Sequence, residues 1–221
     1  MTFQEMQIFI TAVIQDTSFS VADIKARINS AVQKIAKGMK RRGQFQLSPP
    51  LPDLYKSNTV QTVSGMNRAN LPDDFCRDVK KVLVEGDPVT IYNSLPLFRD
   101  KFPVQETGPV VGVCQSGSKI AYGDVPGTVT GMTVFYYAKP AVLTANDDTP
   151  DCIPDTLHEK LICGEVCRGI YSLIEDGMEG RKANTGYYAD MVDLALETFE
   201  LHIGRDEGGY NIPDSGDSYC E

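Results

Sequence analysis

Cys152, His158, Cys163 and Cys167 are the residues of this chain best suited to chemistry, because thiolate and imidazole together are a zinc-binding set. Their spacing, C-x5-H-x4-C-x3-C, matches no common zinc pattern. Cys163 and Cys167 also fall on an apolar helical row, where a free thiol behaves as a small hydrophobe. The expectation is no metal and no cofactor. His202 is the second of two histidines, near the end of a predicted helix where a cation suits the helix dipole. Both histidines read as structural. Ser116-Gly117-Ser118-Lys119 lacks the upstream glycine and loop spacing of a phosphate-binding loop. Gln115-Ser116-Gly117 has no glycine two before the serine, so it is no nucleophile elbow. Asp147 and Asp148 read as a loop rather than an acid–base dyad. No catalytic residue is assigned, and the chain is not expected to be an enzyme.

The six cysteines, which include Cys76, Cys114 and Cys220, are scattered without a C-x-x-C pair, and a reducing folding compartment is expected. Met1 to Ile14 lacks a basic segment and carries Glu5 and Gln7, so no secretory signal is read there. No apolar run is long enough to span a membrane.

The net charge of −9 is unevenly spread. Residues 1–50 hold seven Lys/Arg and three Asp/Glu, residues 51–144 nine of each, and residues 145–221 five and eighteen. Such polarity suits head-to-tail association of identical subunits, or an acidic surface that repels DNA. The plainer alternative is a solvated acidic face. Lys25, Arg27, Lys34, Lys37, Lys40, Arg41 and Arg42 raise a second function class, a DNA-binding regulator using an N-terminal helix pair. These residues spread around their helix without aromatic interleaving, and the acidic total runs against the usual footprint of such proteins.

The elements that must position these residues are legible from apolar spacing. Thr2-Phe3-Gln4-Glu5 is a capping-box pattern, and Phe3, Met6, Phe9, Ile10, Val13 and Ile14 follow at helical spacing. A turn at Asp16–Ser18 leads to a second helix from Ser20, with Val21, Ile24, Ile28, Val32, Ile35 and Met39 in one row. Arg41-Arg42-Gly43 supplies its cationic end and glycine stop. The short connection predicts an antiparallel pair. Ser48-Pro49-Pro50-Leu51-Pro52 is a stiff linker. Strands are then expected near Thr59–Val63, Asp78–Val84, Val110–Cys114, Lys119–Tyr122 and Thr128–Tyr137, joined as antiparallel hairpins, with a short helix near Leu95–Lys101.

Asp147–Pro150 is an acidic turn, after which Ile153-Pro154 opens a helix carrying Leu157, Leu161, Ile162, Val166, Ile170, Leu173 and Ile174. Cys163, Cys167 and Tyr171 widen its apolar arc, so it is expected to be buried on most sides. It stops at Glu175-Asp176-Gly177. A last helix carries Tyr188, Met191, Val192, Ala195, Leu196, Phe199 and Ile203 in a narrow row, closed by Gly204. The fold class is α+β: a helical bundle of N-terminal and C-terminal helix pairs with a central antiparallel β-rich insertion. The divisions are 1–45 and 146–204 for the bundle helices, 46–145 for the insertion, and 205–221 for an extended arm. The bundle core is assigned to Phe9, Ile24, Ile28, Val32, Leu161, Val166, Met191, Leu196 and Phe199.

Several of these pieces, in this order, resemble the head-to-tail adaptor (connector) proteins of tailed bacteriophages. They are Leu71-Pro72-Asp73-Asp74-Phe75 leading into Val79–Val84, Val134-Phe135-Tyr136-Tyr137-Ala138-Lys139-Pro140, Asp147–Pro150, Ile153-Pro154, Leu157–Gly164, and the closing helix with Tyr187-Tyr188. The resemblance implies a structural protein of the virion neck, made in the host bacterial cytoplasm. About a dozen copies would form a homo-oligomeric ring under the portal protein, extending the DNA channel and seating the next tail or nozzle protein. DNA would pass without sequence-specific binding, since an acidic lumen does not hold phosphate. The glycine-rich acidic arm departs from the helical motifs. The resemblance implies a portal contact there, through Tyr210, Ile212 and Tyr219.

Overall fold

A computed structural model of the chain describes residues 1–38, 51–103, 106–176 and 183–203. Met39 to Gly43, Ser48–Pro50, Gly177, Gly204 and the arm with Tyr210, Ile212 and Tyr219 lie outside the described residues. The chain combines helices from both ends with a β-rich middle, an α+β arrangement.

Helices α1 (Phe3–Ile14) and α2 (Val21–Lys37) both begin in reciprocal capping boxes, Thr2 with Glu5 and Ser20 with Asp23. Each box satisfies two of the donors that a helix start leaves open. The inward side of α1 is Phe3, Met6, Gln7, Ile10 and Ile14, and that of α2 is Ile24, Ile28, Ala31, Val32, Ile35 and Ala36. Helices α4 (Gly164–Ile174) and α5 (Ala183–Ile203) complete one core with them. Each large apolar side chain fully buried there contributes about 1.5–3 kcal/mol. Leu51, Leu54 and Leu143, which flank the β-rich part, belong to this helical core as well.

The expected helix from Pro154 has three parts. A 3-10 turn (Asp155–Leu157) and a π-helical turn (His158–Cys163) precede α4. Every residue from Leu161 to Cys167 is buried. Glu159 and Lys160 are the exposed residues of the π-helical turn, and two adjacent polar positions do not distinguish its period from that of an α-helix.

The middle forms two four-stranded sheets. In the first the order is β1 (Tyr55–Gln61), β8 (Gly131–Ala138), β3 (Phe75–Val84) and β4 (Asp87–Pro88), all antiparallel. In the second it is β2 (Arg68–Asn70), β7 (Lys119–Gly123), β6 (Gly112–Ser116) and β5 (Thr90–Tyr92). Strand β8 alternates strictly, with Met132, Val134, Tyr136 and Ala138 buried, the period of a strand with one face on a core. These side chains share a second core with Val60, Val82, Val113, Ile120 and Tyr122, so the two sheets face one another.

The all-antiparallel expectation fails at one pair, since β5 and β6 are parallel. The reason is α3 (Leu95–Lys101), which stands between them in sequence as a crossover; a hairpin cannot join strands separated by a helix. Phe98 of α3, with Phe102 and Tyr92, packs on Cys114 and Ala121. Phe102 fits because Gly123 has no side chain: a Cβ there would stand 2.5 Å from the ring.

Gly164 plays the same part between α4 and α5. A Cβ at Gly164 would meet the Met191 methyl at 2.8 Å and a Val192 methyl at 3.0 Å. Gly169, on the same helix, has nothing within 4 Å of that position. In urea unfolding, Gly164→Ala is expected to destabilise by about 1–3 kcal/mol through overpacking. Gly169→Ala is expected to stabilise by about 0.5–1 kcal/mol through reduced backbone entropy.

Candidate functional site

The side chains that could do chemistry are folded inward. Cys152, His158, Cys163 and Cys167 are all buried. Burial pushes the Cys152 thiol up to about 11 and those of Cys163 and Cys167 to about 12. At neutral pH these sulfurs carry their protons, the form that neither attacks nor ligates. Among the described residues, no group of three or more His, Cys, Asp or Glu side chains is placed to hold a metal ion. Ser116–Lys119 is the tight turn of the β6–β7 hairpin, with Gly117 at φ 63°.

His158 ties the two chain ends together. Its Nε2 lies 2.7 Å from the Ile153 carbonyl, and its Nδ1 lies 2.9 Å from the Met1 nitrogen and 3.1 Å from the Met1 carbonyl. Asp155 Oδ1 lies 3.4 Å from the same Nδ1, so this nitrogen sits among the first residue's backbone and a carboxylate.

The acidic segment after β8 is a clamp. Phe3 N–H donates to the Asp148 carbonyl at 2.7 Å and Gln4 N–H to the Asn146 carbonyl at 3.0 Å. Glu5 N–H donates to Thr2 Oγ1 and Thr2 N–H to Glu5 Oε2. All four donors open at the start of α1 are therefore met, two of them by this loop. The loop is shaped in turn by Asp148, whose carboxylate accepts from Thr144 N–H at 2.6 Å and Ala145 N–H at 2.8 Å. Those bonds hold the Asp148 carboxyl below its ordinary value. On α2, Asn29 donates to the Leu143 carbonyl at 3.0 Å and accepts from Leu143 N–H at 2.8 Å.

Two carboxylates act between helices. Glu165 of α4 is buried and paired to Lys34 of α2, with the Arg168 guanidinium 2.8 Å and 2.7 Å from its two oxygens. Glu175, at the end of α4, accepts from Asn184 N–H at 3.0 Å, Thr185 N–H at 3.1 Å and the Thr185 hydroxyl at 2.6 Å. It places negative charge on the first turn of α5, where the helix dipole favours it. The Thr185 hydroxyl, followed by the backbone N–H groups, holds the Glu175 carboxyl below its ordinary value of 4.5.

The basic residues of α2 are partly engaged within the chain. Lys25 lies over the Phe3 ring at 5.5 Å, Arg27 over Phe19 at 5.4 Å, and Lys34 on Glu165. Lys40, Arg41 and Arg42 lie outside the described residues.

Of the residues assigned to the bundle core, Ile24, Ile28, Val32, Leu161, Val166, Leu196 and Phe199 are buried. Phe9 is partly buried against the same core, and Met191 is half-buried. The Leu71–Phe75 and Val134–Pro140 segments meet where the sheets join the helices. The Tyr136 hydroxyl donates to Asp74 Oδ1 at 2.6 Å, and burial together with that bond pushes the phenol up to about 12. Lys139 N–H donates to the Asp74 carbonyl at 2.6 Å, and its ammonium to the Asp73 carbonyl at 2.9 Å. Arg77 donates to the Lys37 carbonyl at the end of α2 at 2.9 Å. Asp73 and Asp74 thus fasten the lead-in of β3 to the end of β8, and Arg77 ties the strand pair to the bundle. Sequence reading missed this role, and also those of Asn29, Glu165 and Glu175.

An α+β scaffold closed by helices from both ends is the expected build of a structural adaptor. Residues 1–210 match the family described as SU10 adaptor protein, and the chain belongs to that family, a phage adaptor family. No curated protein matches the chain. Among the described residues no helix is long and apolar enough to cross a membrane.

Glu175 titrates lower folded than unfolded, so its contribution to stability is complete above pH 4.5 and is lost as pH falls through the depressed folded value. Thermal midpoints of Glu175→Gln measured between about pH 3 and 7 should be lower than wild type at neutral pH and fall less steeply in acid.

Proposed function

We propose that this protein is a non-catalytic assembly component of the phage neck. It is made in the host bacterial cytoplasm and built into the virion between portal and tail. About a dozen copies form a ring under the portal, extend the DNA channel and seat the next tail or nozzle protein. The observation that carries this reading is the family match over residues 1–210, nearly the whole chain. The fold supports it: four helices drawn from both ends form one core, and a sheet insertion projects from it. The excess of carboxylates after residue 145 suits a channel that DNA must traverse without sticking. The regulator reading is less favoured, because Lys25, Arg27 and Lys34 already face intrachain partners.

Within this reading the arm 205–221, through Tyr210, Ile212 and Tyr219, orders on the portal. Most of the arm lies beyond the residues that match the family.

Electron microscopy of the protein mixed with portal is expected to show added rings on the portal axis. Deleting 205–221 should leave a folded protein that no longer attaches to portal-bearing heads; attachment at full affinity refutes the role given to the arm. Duplex DNA should not be retained at micromolar protein in physiological salt, and salt-sensitive retention lost in Arg41→Ala/Arg42→Ala would favour the regulator instead.

A further inference from the structure

The two sheets of the insertion end together at two flanks. At one flank the edge strand β1 lies against the edge strand β2. At the other, β3 with β4 beside it lies against β5. Each flank carries one sign of charge. From Leu54 to Pro72, through β1, its turn and β2, the charged residues are Lys56 and Arg68, with no carboxylate. From Val82 to Phe98, through β4 and β5, they are Glu85 and Asp87, with no cation. All four side chains are exposed. None is in an ion pair among the described residues. Arg68 donates to the Asn67 amide oxygen at 3.4 Å, a neutral neighbour.

Neighbouring charges are turned elsewhere. Lys80 and Lys81 of β3 lean over the rings of Tyr137 and Phe135 on the outer face of the first sheet. Helix α3, with Arg99, Asp100 and Lys101, lies over Cys114 and Ala121 on the outer face of the second. Asp124, after β7, lies against Gly108. Charges of either sign keep an open edge from pairing at random. One sign per flank does more: it sets like flanks against each other and brings unlike flanks together. A two-fold pairing of β1 with β1 is thereby disfavoured. The two flanks of one insertion face opposite ways, so the charge match is made with another copy.

We infer that the β1–β2 flank of one copy docks on the β4–β5 flank of a second copy of this chain. Arg68 follows the turn at the end of the insertion away from the bundle, and Glu85 follows Val84, which pairs with Met132 near that same end. A rotation about an axis along the stem preserves this height and brings Arg68 to Glu85 and Asp87 of the neighbour. Lys56 stands nearer the bundle and adds to the sign of its flank. Val63 and Met66, 47% and 53% exposed just before Arg68, are covered by Pro88 and Val89. Pro88 has no N–H to give, so side chains rather than a continued ladder make the joint. Two different flanks meet, so the contact repeats head to tail and generates a ring when the rotation closes. This inference rests on the ring reading above and assigns a surface that builds it.

The test uses full-length chains, with and without portal, read by sedimentation and electron microscopy. Lys56→Glu/Arg68→Glu makes both flanks acidic, and Glu85→Lys/Asp87→Lys makes both basic. Each variant should melt as wild type does, because the changed side chains are exposed. Each alone should assemble about tenfold less than wild type, and less still at low salt, where like charges repel further. An equimolar mixture should recover about half of wild-type assembly or more, since acidic and basic copies can then alternate. The neutral Lys56→Gln/Arg68→Gln protein should fall between wild type and the acidic variant. Assembly of either charge-reversed variant at the wild-type level overturns the inference and leaves the ring reading standing. So does a mixture as deficient as its two components. Absence of wild-type self-association in every condition overturns both.

Discussion

The architecture depends on how the chain returns from the sheets to the helices. On leaving β8 it passes across α2 and the start of α1 before entering the buried C-terminal helix. It is held at each crossing by backbone polar groups: Asn29 on Leu143, and Phe3 and Gln4 on the carbonyls of Asp148 and Asn146. These are donors and acceptors that would otherwise be left open at a helix start and in a covered loop. Meeting them fixes the N-terminal pair against the C-terminal pair, and the apolar rows then close over one core.

Polar side chains in this interior act as fasteners rather than reagents. His158 bridges Met1 and Ile153, Glu165 sits between Lys34 and Arg168, and Glu175 receives the first turn of α5. The metal-type residues share the same fate, because their thiols are buried among aliphatic side chains and kept protonated. A family of structural adaptors needs what such fasteners provide, a bundle of defined shape that presents fixed faces to its neighbours.

The bundle was legible in sequence wherever a helix has one wet face. Most of the α1 and α2 rows and the Thr2–Glu5 capping box follow from spacing, although Val21, read into the α2 row, is exposed, and α3 falls where the short helix was read. Legibility ended where burial is total or where contacts join distant residues. The π-helical turn at His158–Cys163 exposes Glu159 and Lys160 alone, too few positions to betray its period. The parallel β5–β6 pair needed the helix between them to be taken as a crossover rather than an interruption. Asp147–Pro150 reads as a plain acidic turn because its work is done by carbonyl oxygens, which no side chain announces. Tyr187, Leu194 and Leu201, exposed on α5, were hidden by the buried Val192, Ala195, Leu196 and Phe199: two apolar sets on one helix blur each other in any search for a single stripe.

The pairing of Tyr55 with Tyr137 has an evolutionary consequence. The polypeptide leaves the bundle and comes back to it through adjacent antiparallel strands, so everything from Tyr55 to Ala138 enters and leaves by one two-stranded stem, which Arg77 also ties to the end of α2. A cassette hung this way can lengthen, shrink or be exchanged between relatives without moving the helices at its root. Sequence variation can therefore accumulate in the sheets while the geometry of the scaffold is inherited unchanged.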